Sequence, residues 1–446
     1  MTTKTTIRTE LPQGVGRMTT GWKLFIAGSV AVLGFGVFAY WRQASDGMVA
    51  TGLRDSGTMG GATWGLYVVM VEYFIGVSFA GVVIAAMSRV FRIKELRPIT
   101  RIAELLTVGS LMVGLLAVVI DLGRPLKGII NMLLYARPRS AFFGTFTLVA
   151  GGLLLTSLAY LYLGGRRDAA ILAETPSRLQ WFHRLWAAGY KGTEAEQERH
   201  QRVMFWLSVG IVPLIVIALS TEGLVFGVQV GRPGWFGSLQ SPDFLVLAAA
   251  SGVANLVVLT AIVRRTLGDW DRIGAGVFTW LGRLLLAATI AALYFMVVEL
   301  FTLLYATPTA ERELADALLT GDYAWIFWLS IGLMVFGLAL LIWQAANASW
   351  RIGTLVVASV AISTAALAER YLTVIPSQTH ASLLQYEAGS YFPNWVEFGV
   401  VAGLFALGAL LIGLFMKAFP IIPIEYDQKF PIIPIEYDNK KETADA

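Results

Sequence analysis

Five carboxylic acids interrupt stretches of the sequence that are otherwise apolar. Glu72 lies in TWGLYVVMVEYFIGVSFAG, Asp121 in VVIDLGRP, Glu222 in IALSTEGLVFG and Glu299 in FMVVELFTLLY, and Glu369 stands beside Arg370 in AALAERYLTVIP. Carboxyl groups are suited to taking up and releasing protons beside a reacting molecule. An acid within a membrane helix costs about 2.5–3.5 kcal/mol to insert, so it pairs with a neighbour or serves a pathway. Two plainer roles stand beside that one. Acids at helix ends can be solvated at the headgroup level, and Glu72, roughly 15 Å into its segment at the rise of an α-helix, can be a structural hydrogen-bonding group.

The elements that must position these acids are membrane spans. The chain has 446 residues, of which 56% are hydrophobic and 14% charged, against about 25% charged in an ordinary soluble domain. Apolar windows separated by polar, Gly/Pro-marked breaks predict ten spans, at 21–42, 62–88, 103–121, 141–163, 203–228, 243–264, 275–304, 323–345, 352–374 and 395–416. The fold class is therefore an all-α integral membrane protein, with lipids as its surroundings and no nucleic-acid partner. The first twenty or so residues are polar and lack a short apolar core, so no cleaved signal peptide is expected.

Cysteine is absent, which excludes disulfides and thiolate-held zinc or iron–sulfur clusters on this chain. Of the three histidines, His183 and His200 fall in a charged loop and His380 near a helix end, so no apolar segment offers a histidine pair to a haem. A chain of this kind that handles electrons does so without a metal, haem or iron–sulfur cluster of its own.

Lys and Arg gather in the 89–101, 164–202 and 264–272 loops and in the N-terminal segment, all on one side of a ten-span arrangement. The positive-inside rule places that side, and both termini, in the cytoplasm. The 122–140 loop dissents: it carries Arg124, Lys127, Arg137 and Arg139 on the outer side. With this orientation Asp121, Glu222, Glu299 and Glu369 all lie toward the outer face. Spans two to five also lay over spans six to nine, with Asp121 against Glu299 and Glu222 against Glu369. The expected organisation is a cytoplasmic segment over 1–20, a first span with its outer loop over 21–61, and four-helix bundles over 62–228 and 243–374 in parallel repeat. A last span over 395–416 and a cytoplasmic tail over 417–446 follow.

Several of these segments resemble one family. GMVATGLRDSGTMGGATWGLYVVMVEYFIGVSFAG, VVIDLGRPLKGIINMLLYARPRSAFF, GRPGWFGSLQSPDFLVLAAASGVA and YFPNWVEFGVVAGLFALGALLIGLFMKAFP are similar to segments of the polysulfide-reductase membrane-subunit (NrfD/PsrC-like) family, in its ten-span branch. The resemblance runs from about residue 35 to 420. It implies a membrane subunit of a respiratory oxidoreductase complex in the inner membrane, quinone-reactive rather than an enzyme alone. Such a subunit exchanges electrons between a quinone (menaquinone or ubiquinone) and a ferredoxin-like iron–sulfur subunit docked on the outer face, with a further molybdenum or multihaem cytochrome subunit beyond. Several family members use a helix histidine near the quinone, where this chain offers Glu72 and Tyr73.

Quinone chemistry moves two electrons and two protons per turnover. Asp121, Glu72, Glu222 and His380 are the candidate proton-carrying groups. Tyr73, Trp64, Tyr135 and Trp235 could wall or hydrogen-bond the ring, although tryptophans near span ends also form interfacial belts. Arg124 can hold Asp121 ionised or contact the docked partner; alternatively the two form a turn-stabilising ion pair, with Gly123 and Pro125 turning the chain out of its helix. A competing expectation is a secondary transporter, or a proton-translocating subunit with no quinone site. Transporters of that kind usually show inverted repeats and helices broken at mid-membrane, whereas here the acids gather at one face.

The C-terminus contains FPIIPIEYD twice, from Phe419 and from Phe430. Proline at this spacing forbids helix and favours extended chain. The repeat is either a duplication with no role of its own or an extended strap that binds the inner face of this chain or of a neighbour.

Overall fold

The computed structural model describes residues 11–424 apart from 13, 54–61, 136, 138–139, 141–146, 269–270, 306–307 and 381–390. Among the described residues there are helices and no strands, and ten helical segments are long and apolar enough to cross a membrane. They are α1 (Thr20–Asp46), the pair α2 (Leu66–Val77) and α3 (Phe79–Arg89), α4 (Thr100–Asp121), α6 (Thr147–Ala173), α8 (Glu194–Gly227), α9 (Gln240–Leu267), α10 (Ala275–Tyr305), α12 (Ala324–Ala346), α13 (Ile352–Val374) and α15 (Trp395–Ala418). Shorter helices are α5 (Pro125–Tyr135), α7 (Gln180–Ala187), α11 (Thr309–Leu319) and α14 (Pro376–Thr379). The chain is an all-α, multi-pass integral membrane protein, as its composition predicts.

Several helix boundaries differ from the apolar windows. α6 runs ten residues past 163 and α8 starts nine before 203. Both continue as polar helix beyond the apolar stretch, where hydropathy has nothing to report. The intervening 164–202 region is therefore largely helical, and His183 is a fully buried residue of α7, not a member of a charged loop. Likewise the base-rich 122–140 stretch contains α5, with Arg124, Lys127 and Arg137 exposed; Arg139 lies outside the described residues. Span two starts at Leu66 and is interrupted at Ser78, whose hydroxyl donates to the Ile75 carbonyl at 2.6 Å while its own carbonyl accepts from Thr107 Oγ1 at 2.7 Å.

The α2/α3 pair, α4, α6 and α8 close into one ring of packed neighbours, and α9, α10, α12 and α13 close into a second. The rings join where α2, α3 and α8 lie on α9 and where α2 lies on α13, and α1 lies on α15, which packs on α4 and α2. Small residues let backbones approach, as membrane helices require when lipid is as apolar as their side chains. A Cβ on Gly36 of α1 would fall 2.6 Å from the Gly403 Cα of α15, and a Cβ on Gly81 of α3 would fall 2.3 Å from the Ala103 carbonyl oxygen of α4. The face that carries the start of α1 and the end of α15 is called the terminal face below, and the opposite one the distal face.

Candidate functional site

The polar groups buried toward the distal face form two clusters on different sides of α2. The first lies where α1, α2, α4 and α15 meet. Asp121 is the last residue of α4; Gly123 then takes φ +64°, a left-handed conformation that glycine adopts freely, and the chain turns into α5. The Asp121 Oδ1 atom is buried and has no hydrogen-bond partner among the described residues. One residue earlier, the Ile120 carbonyl accepts from Gln43 Nε2 at 3.2 Å, and Gln43 Oε1 accepts from the Tyr67 hydroxyl at 2.5 Å.

Beside them stands Glu397, fully buried, within electrostatic range of both Asp121 and Tyr67. Its position follows from a capping box: Asn394 caps α15 by accepting from Val396 N and Glu397 N, while Glu397 Oε2 accepts back from Asn394 N at 3.1 Å. The same carboxylate accepts from Gly52 N at 2.8 Å and, through Oε1, from the Tyr391 hydroxyl at 2.6 Å. Tyr391 in turn accepts from Leu66 N at 2.7 Å, which ties the start of α2 to α15. Burial and the adjoining Glu397 carboxylate push the Tyr391 phenol well above its ordinary range, so it stays protonated and donating. Glu397 is thus fully engaged, and Asp121 beside it is not.

The second cluster surrounds Arg370 of α13, which is 2% exposed. Its Nη2 donates to the Phe244 carbonyl at 3.1 Å, its guanidinium lies 3.8 Å from the centre of the Phe244 ring, and Nη1 has no hydrogen-bond partner among the described residues. Glu72, Glu222, Asp243, Glu299 and Glu369, from five different helices, all feel its charge. Yet among the described residues no carboxylate comes within ion-pair distance of it. Glu72 and Glu222 neighbour each other directly, and Glu72 Oε2 and both Glu222 oxygens lack hydrogen-bond partners of good geometry. Toward the distal surface Gln240 Nε2 donates to Glu299 Oε1 at 3.0 Å and Ser330 Oγ to Glu369 Oε2 at 3.3 Å. A buried guanidinium without an ion-pair partner is costly, and its compensation here is the field of five acids, so the protons they hold set the charge of the cluster.

The predicted site residues are therefore divided. Glu72 and Glu222 come together about Arg370. Asp121 keeps company with Glu397, Tyr67 and Gln43, about 6 Å nearer the distal surface than Glu72 by helical rise, since Ile75 of α2 sits level with Gly114 of α4. Tyr73 joins neither group: its hydroxyl is 2.7 Å from Ser363 Oγ and accepts from Asn255 Nδ2 at 3.1 Å, between the two rings of helices. Trp64 stacks on Trp235 at 5.7 Å with Phe226 edge-on to both, and Trp235 Nε1 donates to the Thr373 carbonyl. His380 Nδ1 lies 3.0 Å from Thr379 Oγ1 at the distal end of α14, against Tyr323. Tyr135 is 72% exposed at the end of α5. The Asp121–Arg124 ion pair allowed by the sequence does not form: Arg124 is exposed, and the ion pairs among the described residues are Arg42–Asp46 and Arg101–Asp168.

Sequence reading missed Glu397 and Tyr391, although Asn-Trp-Val-Glu carries a capping-box signal at the start of the last span. It also took Arg370 for the neighbour of Glu369 alone, because nothing in one chain segment shows that four other helices aim acids at it. Among the described residues no group of histidine and carboxylate side chains is arranged to hold a metal ion.

Comparison with known proteins meets this architecture. The chain is 29% identical over 441 residues to a "Putative dimethyl sulfoxide reductase membrane subunit" of Halobacterium salinarum, covering 94% of this chain and 95% of the relative. It is 28% identical over 404 residues to a "Selenate reductase subunit" of Mesobacillus selenatarsenatis, covering 86% and 91%. It is 24% identical over 420 residues to an "Hdr-like menaquinol oxidoreductase integral membrane subunit" of Archaeoglobus fulgidus, covering 90% and 93%. The family model described as "Polysulphide reductase, NrfD" matches residues 55–381, a stretch that takes in Glu72, Asp121, Glu222 and the whole Arg370 cluster, and by that match this ten-span chain belongs to the NrfD polysulphide reductase family.

Proposed function

We propose that this chain is the quinone-reactive membrane subunit of a multi-subunit reductase. It exchanges electrons between a quinone in the bilayer and an iron–sulfur subunit docked on the distal face, and a molybdenum or multihaem subunit lies beyond that one on the path. The observation that carries this reading is the buried, unpartnered Oδ1 of Asp121 beside a network that is otherwise satisfied. A ring hydroxyl placed there donates to Asp121, which takes its proton as the electron pair leaves; in the reverse direction Asp121 returns the proton to the reduced ring. Each quinol oxidised releases two electrons and two protons, and the distal surface provides the exit for both. The relatives, two named as reductase subunits and one as a menaquinol oxidoreductase membrane subunit, support the same assignment. The exposed bases Arg124, Lys127 and Arg137 around α5, next to Asp121, suit the docked subunit. The basic terminal face is cytoplasmic on this reading, with both termini inside and the distal face outside the inner membrane.

The test is Asp121→Asn in the assembled complex. Because Oδ1 accepts no internal hydrogen bond, assembly and thermal unfolding stay unchanged, whereas quinol turnover falls by about 10²-fold or more, the share a general base contributes. Turnover at the unmodified rate would remove Asp121 from the reaction.

The Arg370 cluster favours a second, compatible reading: proton translocation through Glu72 and Glu222 into the second ring of helices. Glu72 Oε2 and both Glu222 oxygens have no fixed partners to break when a proton arrives. Glu222→Gln in complexes reconstituted into vesicles should abolish any proton movement beyond the two protons of the quinol itself; movement at the unmodified ratio would dismiss the relay.

A further inference from the structure

The first FPIIPI run of the tail fills a groove at the terminal face, between the start of α4, the polar extension of α6, α7 and the end of α15. The Phe419 ring is fully buried against Trp186, Phe415 and His183, at 5.4, 5.5 and 6.2 Å between ring centres, with the Arg101 guanidinium 5.1 Å above it. Gly165 makes the space: a Cβ there would stand 3.1 Å from the ring. Arg101 Nη1, held by Asp168 Oδ2 at 2.7 Å, also donates to the Pro420 carbonyl at 2.7 Å. Asp168 Oδ2 accepts from Ile424 N at 3.2 Å. Ile421, Ile422 and Ile424 are each less than 5% exposed.

The groove therefore recognises an aromatic ring, the carbonyl of the second residue, the amide of the sixth and three isoleucines. Every one of these belongs to the hexapeptide rather than to its place in the chain, and every one recurs at residues 430–435, which also read FPIIPI. The two prolines hold the peptide extended, so it loses little freedom on binding.

We propose that this groove is a binding site for the FPIIPI peptide and that the chain carries two ligands for it, residues 419–424 and residues 430–435, which occupy it in alternative registers. The first register continues directly from α15, where the Ala418 carbonyl meets His183 Nε2 at 2.8 Å. The second loops out residues 419–429. Closing a loop of that length is a modest, slowly growing cost, and a short tether keeps the second copy at an effective concentration in the millimolar range. The first register is the ground state, and the second takes the groove when the first is lost.

The experiment uses the full chain with a photo-crosslinking residue in place of Lys429, which precedes Phe430 as Ala418 precedes Phe419. In the second register it lies beside His183 and Trp186 without entering the tight ring pocket. Phe419→Ala removes a buried ring from the first register alone, which swings the ratio of registers by about 100-fold or more. Cross-linking to α7 of the same chain should then rise from background to near completion. A failure of that cross-link to rise, or its formation on a second copy of the chain, overturns the proposal. An independent reading comes from thermal unfolding. Phe430→Ala should leave the transition in place, and Phe419→Ala should lower it by less than the two changes together. If Phe419→Ala and the double substitution lower it equally, the second copy is no ligand.

Discussion

Glu397→Gln separates a structural carboxylate from a working one. In the native arrangement Glu397 Oε2 accepts from Gly52 N and Asn394 N, and Oε1 accepts from the Tyr391 hydroxyl. An amide can keep its oxygen on the two N–H groups, but its NH2 then faces the Tyr391 hydroxyl. Tyr391 already accepts from Leu66 N and can accept once more, yet its own O–H has lost its acceptor. One buried unsatisfied donor costs about 1–3 kcal/mol, and two charge-assisted hydrogen bonds that become neutral lose about 1 kcal/mol each. The expected destabilisation is about 3–5 kcal/mol. Thermal unfolding in detergent, followed at matched scan rates, should show a clear drop for Glu397→Gln. Tyr391→Phe should show a comparable drop by stranding Leu66 N and Glu397 Oε1. Because both act on the same network, the double variant should lose less than the sum. If Glu397→Gln unfolds with the unmodified protein but loses quinol turnover, the assignment of Glu397 to structure and Asp121 to chemistry is reversed.

Gly403→Val should loosen α1 from α15, because a Cβ at 403 would stand 2.8 Å from the Gly36 Cα and backbone cannot yield; overpacking of this kind costs about 1–3 kcal/mol or more, seen as a lower unfolding temperature. Gly28→Val, on α1 with open space around it, is the control and should leave that temperature unchanged. On the proposed function, reversing charge at Lys127 and Arg137 should release the proposed iron–sulfur partner from isolated membranes while this chain stays embedded; undiminished co-purification would dismiss the α5 surface as the dock. Seating of the tail should weaken in acid. Burial lowers the His183 pKa, partly offset by its bond to the Ala418 carbonyl, so the unfolded state binds the proton first. The stability this gives is intact above the ordinary histidine value of about 6.5 and is lost as pH falls from there through the lowered folded value. Proteolytic release of the tail measured across that window should rise with acid, and His183→Gln should flatten the profile.

The ten spans were legible because lipid imposes one pattern, a long apolar run, whatever the neighbours. Where the helix leaves the lipid that pattern stops reporting, so the polar extensions of α6 and α8 and the burial of His183 in α7 were invisible to it. Residue types were equally legible: acids in apolar segments marked Glu72, Asp121 and Glu222. Their grouping was not, because it depends on which face of a helix each presents and to whom. Arg370 shows this most clearly, since its five acids come from α2, α8, α9, α10 and α13. The tail offers the opposite lesson. Its repeat was plain in sequence, but only the groove built from Arg101, Gly165, Asp168 and Trp186 turns one copy into a ligand.

The division of the acids by α2 constrains how a proton could pass from Asp121 to Glu72 under the proposed function. Tyr67, which belongs to the Asp121 group, and Glu72 are five residues apart on α2. That places them about 140° apart around the helix and about 7–8 Å apart along it. The intervening side chains Val68, Val69, Met70 and Val71 are apolar and carry no proton. A relay between the two clusters therefore cannot run along α2 and must pass around it, by way of polar groups at the distal ends of the helices. Thr63 and Trp64, which Gln378 binds at 2.9–3.0 Å, lie on that detour, and Gln378 also reaches the Val374 carbonyl one turn from Arg370. If the clusters are coupled, Gln378→Leu should uncouple them, leaving quinol turnover while abolishing proton movement. If they are independent, it should alter neither the turnover nor the proton ratio.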